Sequence, residues 1–233
     1  MNLLAFDTST EQLSVAVQRV DGQRFARQGA GGAQASAALI PAVLALLAQA
    51  GLALADLRAI VFGRGPGSFT GLRTACSVAQ GLAFGAGVPV LPVDTLLAVA
   101  EAARRSGQLP PGAARVLALL DARMSEVYSA AYLHDGTAWM AQGAITVGPP
   151  EALIVPAGDG WVLAGNAFTE YGERLPAALA KLPRIEALPT ADALLGLAPA
   201  LLAAGQAVPA AQALPLYIRD KVAQTTAERA AAR

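Results

Sequence analysis

The sequence predicts an α/β protein of two related lobes, each a mixed sheet flanked by helices. Three observations carry this. The chain opens with an antiparallel meander. A strand–helix–strand–helix run follows, and such alternation means parallel strands joined by crossovers. Beyond Pro110-Pro111-Gly112 the opening theme returns: Leu3 to Phe6 leads into Asp7, a short turn and a strand, and Val116 to Leu120 leads into Asp121, a short turn and a strand. A single match of this kind is a weak duplication signal, yet it pairs Asp7 with Asp121 and sets a first lobe at 1–109 and a second, shorter one at 110–233.

Leu3 to Phe6 reads as a buried strand that ends at Asp7-Thr8-Ser9-Thr10. Leu13, Val15 and Val17 alternate with polar or small residues, the period of a strand, and Asp21-Gly22 turns the chain into Gln23 to Gln28. Gly29 to Gly32 breaks the pattern, and a helix runs from Ser36 to Ala50, where Gly51 stops it. Leu39, Val43, Leu46 and Leu47 mark one stripe of that helix; Ile40 and Leu44 lie beside it, and alanines fill much of the rest. A helix apolar nearly all round is buried on more than one side, by its own chain or by a partner.

Ala59 to Phe62 is a second buried strand. It runs into Gly63-Arg64-Gly65-Pro66-Gly67-Ser68-Phe69-Thr70-Gly71-Leu72-Arg73, which opens a helix from Thr70 to Phe84. Pro66-Gly67 suits the centre of a type II turn, Ser68 or Thr70 suits the helix cap, and Gly71 with Ala75 leaves a low face for another backbone. A glycine loop at a helix N-terminus can cradle an anion, with Arg64 and Arg73 adding charge; the plainer reading, a tight turn that aims a helix, is favoured. Neither the dinucleotide nor the P-loop pattern is met. Val88 to Val93 is a strand, and Asp94 caps a helix ending at Arg104-Arg105.

In the second half, Val127 to Tyr132 has strand period, and His134 sits at the Asp135-Gly136 hairpin turn. Gly158-Asp159-Gly160 precedes a strand at Trp161 to Ala164, Phe168 to Leu175 and Ala191 to Ala204 read as helices, and Pro215 to Arg219 forms a compact docking tail. Thr225 to Arg233 is expected to fray.

Composition narrows the function. Lysine plus arginine equals 17 and aspartate plus glutamate equals 17, so binding to bare nucleic acid through net charge is disfavoured. Between Gly29 and Val93 the only charges are Asp56, Arg58, Arg64 and Arg73. A membrane span there is rejected because Gln34, Ser36, Pro41, Gln49 and Gly51 interrupt the run. The first residues lack the basic region of a signal peptide. One cysteine, Cys76, reads as a buried inert thiol in a cytoplasmic protein, and a single histidine excludes sites that need two.

No catalytic residue stands out: His134 has no nucleophile beside it, there is no zinc-protease motif, and no paired carboxylates flank the glycine loop. Asp7 with Thr8, Ser9 and the loop can face a metal-bound nucleotide, or Asp7 can simply cap its own turn. For Asp121 the capping role is favoured. Arg73 lies in a helix's first turn, where the dipole disfavours a cation, so an anion is expected to answer it: Asp7, a ligand or a partner's carboxylate.

Asp7-Thr8-Ser9-Thr10, the glycine stretch through Arg73 and Gln80-Gly81-Leu82-Ala83 resemble the TsaB family, partner proteins in threonylcarbamoyladenosine synthesis on tRNA. Asp121 to Tyr128, Gly158-Asp159-Gly160 and Pro215 to Arg219 are similar to later motifs of that family. The resemblance implies an actin-like, sugar-kinase-like (ribonuclease H-like) fold of duplicated lobes. It implies a non-catalytic role beside TsaD, which performs the transfer, with TsaE, a small ATPase, joining them. It also implies a homodimer when alone, tRNA contact only through the complex, and no cofactor of its own, ATP or ADP belonging to the complex. TsaD holds metal with a helix bearing two histidines; here the matching helix, beginning Gln34-Ala35-Ser36, has none, so neither metal binding nor the old glycoprotease label is supported. Family packing of the two helices would put Ala38, Ala42, Ala45, Thr74 and Ser77 near a partner; the residues able to face any nucleotide, by their own chemistry, are Asp7, Thr8, Ser9 and Arg73. The alternatives are a stand-alone actin-fold ATPase or small-molecule kinase, and a dimeric scaffold unrelated to tRNA.

Overall fold

The computed structural model describes residues 1–109, 112 and 114–219. Strands β1 (Leu3–Asp7), β2 (Gln12–Gln18) and β3 (Arg24–Ala30) form the expected antiparallel meander. Helix α1 (Ala35–Ala50) crosses to β4 (Ala59–Gly65), which pairs parallel with β1; α2 (Phe69–Ala86) then crosses to β5 (Val90–Asp94), parallel to β4. The first sheet has the order β3-β2-β1-β4-β5.

Helix α3 (Thr95–Arg105) leads to the second sheet. Here β6 (Ala114–Asp121) pairs antiparallel with β7 (Val127–His134), which carries β8 (Trp139–Ala141) and β9 (Thr146–Gly148). Strand β10 (Trp161–Gly165) lies parallel to β6, and β11 (Arg184–Glu186) parallel to β10. The order β8-β7-β6-β10-β11 repeats the first sheet strand for strand. It matches β6 with β1, and therefore Asp121 with Asp7, as the sequence repeat predicted. This is the actin-like, ribonuclease H-like arrangement. Helix α1 has only a single short turn, Pro150–Ala152, as its counterpart, which makes the second lobe leaner.

Strand periodicity sorts the core into layers. Leu4, Phe6, Val15 and Val17 face α1 and α2. Leu3, Ala5, Ala16 and Val61 face the opposite way, onto α6 (Ala191–Ala203). In the second sheet Val116, Ala118 and Leu120 pack on α3, while Leu117, Leu119 and Leu163 pack on α4 (Ala167–Tyr171) and α5 (Ala177–Ala180). Helices α3 and α6 lie against each other, and α3 touches strands of both sheets. Residues after β11 thus return to the first lobe: α6 covers its inner face, and Val208 bridges to Val90. The strands separate between β5 and β6, but 187–219 do not belong to the second lobe alone. Pro110 and Pro111 of the expected linker, and the end from Thr225 to Arg233, lie outside the described residues; Gly112 is described, with φ 91°.

The segment Gly32–Ala50 is long and apolar enough to cross a membrane by length and composition alone. Here it buries Leu39, Val43, Leu46 and Leu47 on the first sheet, the stripe read from the sequence. Gly51 stops α1 as expected, in the left-handed conformation at φ 65°, with its N–H on the Ala48 and Leu47 carbonyls.

Three local expectations are corrected. Gly65, not Gly67, takes the positive φ of the glycine loop, at 125°. Asp94 stands at the N-terminus of α3 but its side chain makes no capping bond; it accepts instead from Arg64 Nε at 2.6 Å, a neighbour set by the β4–β5 pairing. The second-lobe helix after β10 ends at Tyr171 and tightens into a short turn, Gly172–Arg174. Cys76 is buried as predicted, donating to the Ala213 carbonyl, and His134 closes its turn by accepting from Gly136 N–H at 3.1 Å.

Candidate functional site

Two features stand out: the cleft where the lobes meet, and the outer faces of α1 and α2.

The cleft is built from equivalent turns. In the first lobe, Asp7 Oδ1 accepts from the Ser9 N–H (2.8 Å) and hydroxyl (2.7 Å), so the carboxylate caps its own turn. The Thr8 hydroxyl donates to the Gly71 carbonyl at 2.7 Å, and the Ser68 N–H donates to the Ser9 carbonyl at 2.7 Å. The glycine loop therefore lies directly on the Asp-Thr-Ser turn. A Cβ at Gly71 would run into the Thr8 carbonyl, and one at Gly63 into Asp7 Oδ2. Gly71→Ala should accordingly destabilise the protein by about 1–3 kcal/mol, the usual cost of forcing atoms into packed space, measurable by urea unfolding. Asp7 and Thr8 are fully buried, and burial lifts the Asp7 carboxyl to about 6, the Ser9 hydrogen bonds pulling the other way. Oδ2 of Asp7 is buried with no hydrogen-bond partner among the described residues.

Two of the residues expected to face a nucleotide are turned away from the cleft. Asp7 and Thr8 face the glycine loop instead, because the loop's glycines let two backbones touch. Of that turn Ser9, itself nearly buried, and Thr10 line the cleft. Arg64 is paired with Asp94. Arg73 is answered not by Asp7 but by aromatic groups: its guanidinium lies 3.7 Å from the Phe69 ring centre, and its Nε donates to the Tyr217 hydroxyl at 3.1 Å. Among the described residues no group of three or more His, Cys, Asp or Glu is placed to hold a metal.

In the second lobe Asp121 also caps its own turn, accepting from the Arg123 N–H at 2.7 Å and from the Tyr171 hydroxyl at 2.8 Å. Burial, then that bond to the carboxylate, hold the Tyr171 phenol up at about 12. The turn itself is unusual: Arg123, Met124 and Ser125 all have positive φ, 61°, 56° and 59°. For side chains with a Cβ this costs about 1–2 kcal/mol per residue. Arg123 reaches across to Glu11 of the first lobe at 2.7 Å. Between the two turns lies a cleft of about 680 Å³, one wall of which is the tail Leu216 to Arg219. Sequence reasoning placed the tail as docking but missed the Glu11–Arg123 bridge, since partners 112 residues apart leave no local signal.

The second feature is on the outside. Ile40 and Leu44 of α1 and Phe84 of α2 are 43%, 53% and 84% exposed. They lie on neighbouring helices that carry one charge between them, Arg73. Ser77 is exposed beside them, and Ala38, Ala45 and Thr74 are half-buried at the edge of these faces. Ala42 is a correction: at 3% exposure it sits in the core, three positions from Leu39 on the buried stripe. The outward residues Leu44 and Ile40 were visible in the sequence as apolar positions flanking that stripe; Phe84, at i+7 from Ser77, continues its line.

A family model described as "TsaD: tRNA N6-adenosine threonylcarbamoyltransferase" matches residues 32–227. The Escherichia coli (strain K12) protein named "tRNA threonylcarbamoyladenosine biosynthesis protein TsaB" is 36% identical over 230 residues, 96% of each chain. This chain belongs to the TsaB family. The Haemophilus influenzae TsaB protein is 44% identical over a shorter stretch, 55% of this chain and 52% of its own. A solved structure titled "YeaZ from Pseudomonas aeruginosa" aligns with a TM-score of 0.83 and 42% identity, over 93% of this chain and 99% of that one. Membership of the TsaB family connects the chain with threonylcarbamoyladenosine biosynthesis.

Proposed function

We propose that the chain is a non-catalytic partner of the TsaD threonylcarbamoyltransferase, in the formation of threonylcarbamoyladenosine next to the anticodon of tRNAs. The observation that supports this most is the pairing of two nearly charge-free outer helix faces, ending in an 84% exposed phenylalanine, with a cleft whose Asp7 and Thr8 are sealed. Two short helices can supply the roughly 800 Å² per partner of a standard interface. TsaD occupies that face; without it a second copy of the chain does. TsaE joins the pair, tRNA is met through the complex, any ATP or ADP belongs to the complex, and the assembly is cytoplasmic.

The test is reconstitution. Purified TsaD, TsaE and this chain are mixed with tRNA and the substrates of the transfer, each protein omitted in turn. Modification should vanish without this chain, while calorimetry of the isolated chain with Mg-ATP should register no binding heat. Turnover of Mg-ATP by the chain alone, or undiminished modification in its absence, would sink the reading.

A further inference from the structure

The tail is seated on both lobes at once. On the first lobe, the Leu216 N–H donates to the Arg64 carbonyl at 2.7 Å, and the Tyr217 ring lies 5.1 Å from that of Phe69. The Ala213 carbonyl, just before, accepts from Gln80 Nε2 at 2.8 Å. On the second lobe, Ile218 packs against the core between α3 and β6. Arg219 donates to the Ala122 carbonyl at 3.1 Å and to the Arg123 carbonyl at 3.4 Å, and pairs with Glu126. Those groups belong to the left-handed turn 123–125 or flank it. An arginine planted on the carbonyls of a strained turn does what a helix C-cap does: it gives a donor to the Ala122 carbonyl and a second one to the Arg123 carbonyl, which already accepts from the Glu126 N–H, and it holds a conformation that the side chains alone disfavour.

We propose that residues 215–219 are a latch on the interlobe cleft. Seated, they pin the left-handed turn of the second lobe to the glycine loop of the first and keep Arg123 aimed at Glu11. Unseated, they release the turn, which relaxes from its left-handed form, and the cleft loses both the tail wall and the Glu11–Arg123 bridge. The latch touches the core through one residue, Ile218. Tyr217 is 45% exposed, and its ring partner Phe69 lies on the first turn of α2, so on the first lobe lifting the strap uncovers helix rather than sheet, and on the second it gives up the single half-buried contact of Ile218.

The test is hydrogen exchange followed by mass spectrometry on the full chain. In Arg219→Ala, amides in 119–128 should exchange about tenfold to a hundredfold faster, the range expected when hydrogen bonds to a charged group are lost. Tyr217→Ala should accelerate the same peptide and 63–70 together, because the latch spans both. Exchange in β1 and in the 59–62 part of β4 should stay as in the parent chain. Adding Ser125→Gly to Arg219→Ala should restore part of the protection, since glycine accepts the left-handed conformation without a penalty. Unchanged exchange of 119–128 in Arg219→Ala would overturn the proposal. So would acceleration spread evenly over the core strands, which would mean general destabilisation, and so would a failure of Ser125→Gly to slow exchange in that background.

Discussion

Replacing Leu44 with arginine should leave the fold intact and weaken capture of TsaD by at least about a hundredfold. The side chain is 53% exposed in the isolated chain, so a guanidinium there is solvated and costs little. In a complex that covers this face, the same charge is stripped of water with no counter-charge from α1, which has no charged residue, at a cost of about 3–5 kcal/mol. Ala42→Arg is the instructive contrast. Ala42 is 3% exposed beneath α1, so an arginine there should unfold the protein before any partner is met. Thermal melts and titration calorimetry against TsaD distinguish the two. A well-folded Leu44→Arg chain that binds TsaD as tightly as its parent would remove this face from the interface.

The second large effect is on stability, at Asp7. Its carboxyl titrates near 6 in the folded chain because burial disfavours the charged form, against an ordinary value of 3.8. Between those values the folded state holds a proton that the unfolded state has lost, so stability falls as pH rises from about 4 to 6 and then levels off. The difference is worth about 3 kcal/mol above pH 7, at 1.36 kcal/mol per pH unit. Asp7→Asn keeps an oxygen to accept from Ser9 and removes the charge. It should therefore be more stable than the parent by about 3 kcal/mol at pH 8, an advantage that shrinks toward zero at pH 4. Other titrating groups are common to both chains and cancel in the comparison. Urea unfolding of each across that range makes the measurement, and two stability curves running parallel would refute the assignment of the pH dependence to Asp7.

The fold was legible where chemistry repeats at the period of an element. The alternation in Leu13, Val15 and Val17, and the strand-aspartate-turn theme at Asp7 and again at Asp121, both correspond to real strands and real topological equivalence. Helix faces were harder to read. In α1 alanine occupies both sides, so it carries almost no information about which side is wet; the larger residues do, and Leu39 with Val43 placed the buried stripe while Ala42 was assigned outward. Partners distant in the chain were the other blind spot. Arg64 finds Asp94 because β4 pairs with β5, and Arg73 finds Tyr217 because the tail returns past α2. The sealing of Asp7 has the same origin. It depends on Gly63 and Gly71 lying against the first turn, a contact across more than fifty residues that neither the glycines nor the aspartate announce alone.

The position of α6 bears on how the protein is made. The inner face of the first sheet, with Leu3, Ala5 and Val61, is covered by a helix ending at Ala203, although the last strand of that sheet ends at Asp94. On a ribosome adding about 5–20 residues per second, that apolar face waits about 5–20 s for its cover. During this interval the nascent chain is a natural client for a holding chaperone, and messages that slow translation between these two points should lower the yield of native protein.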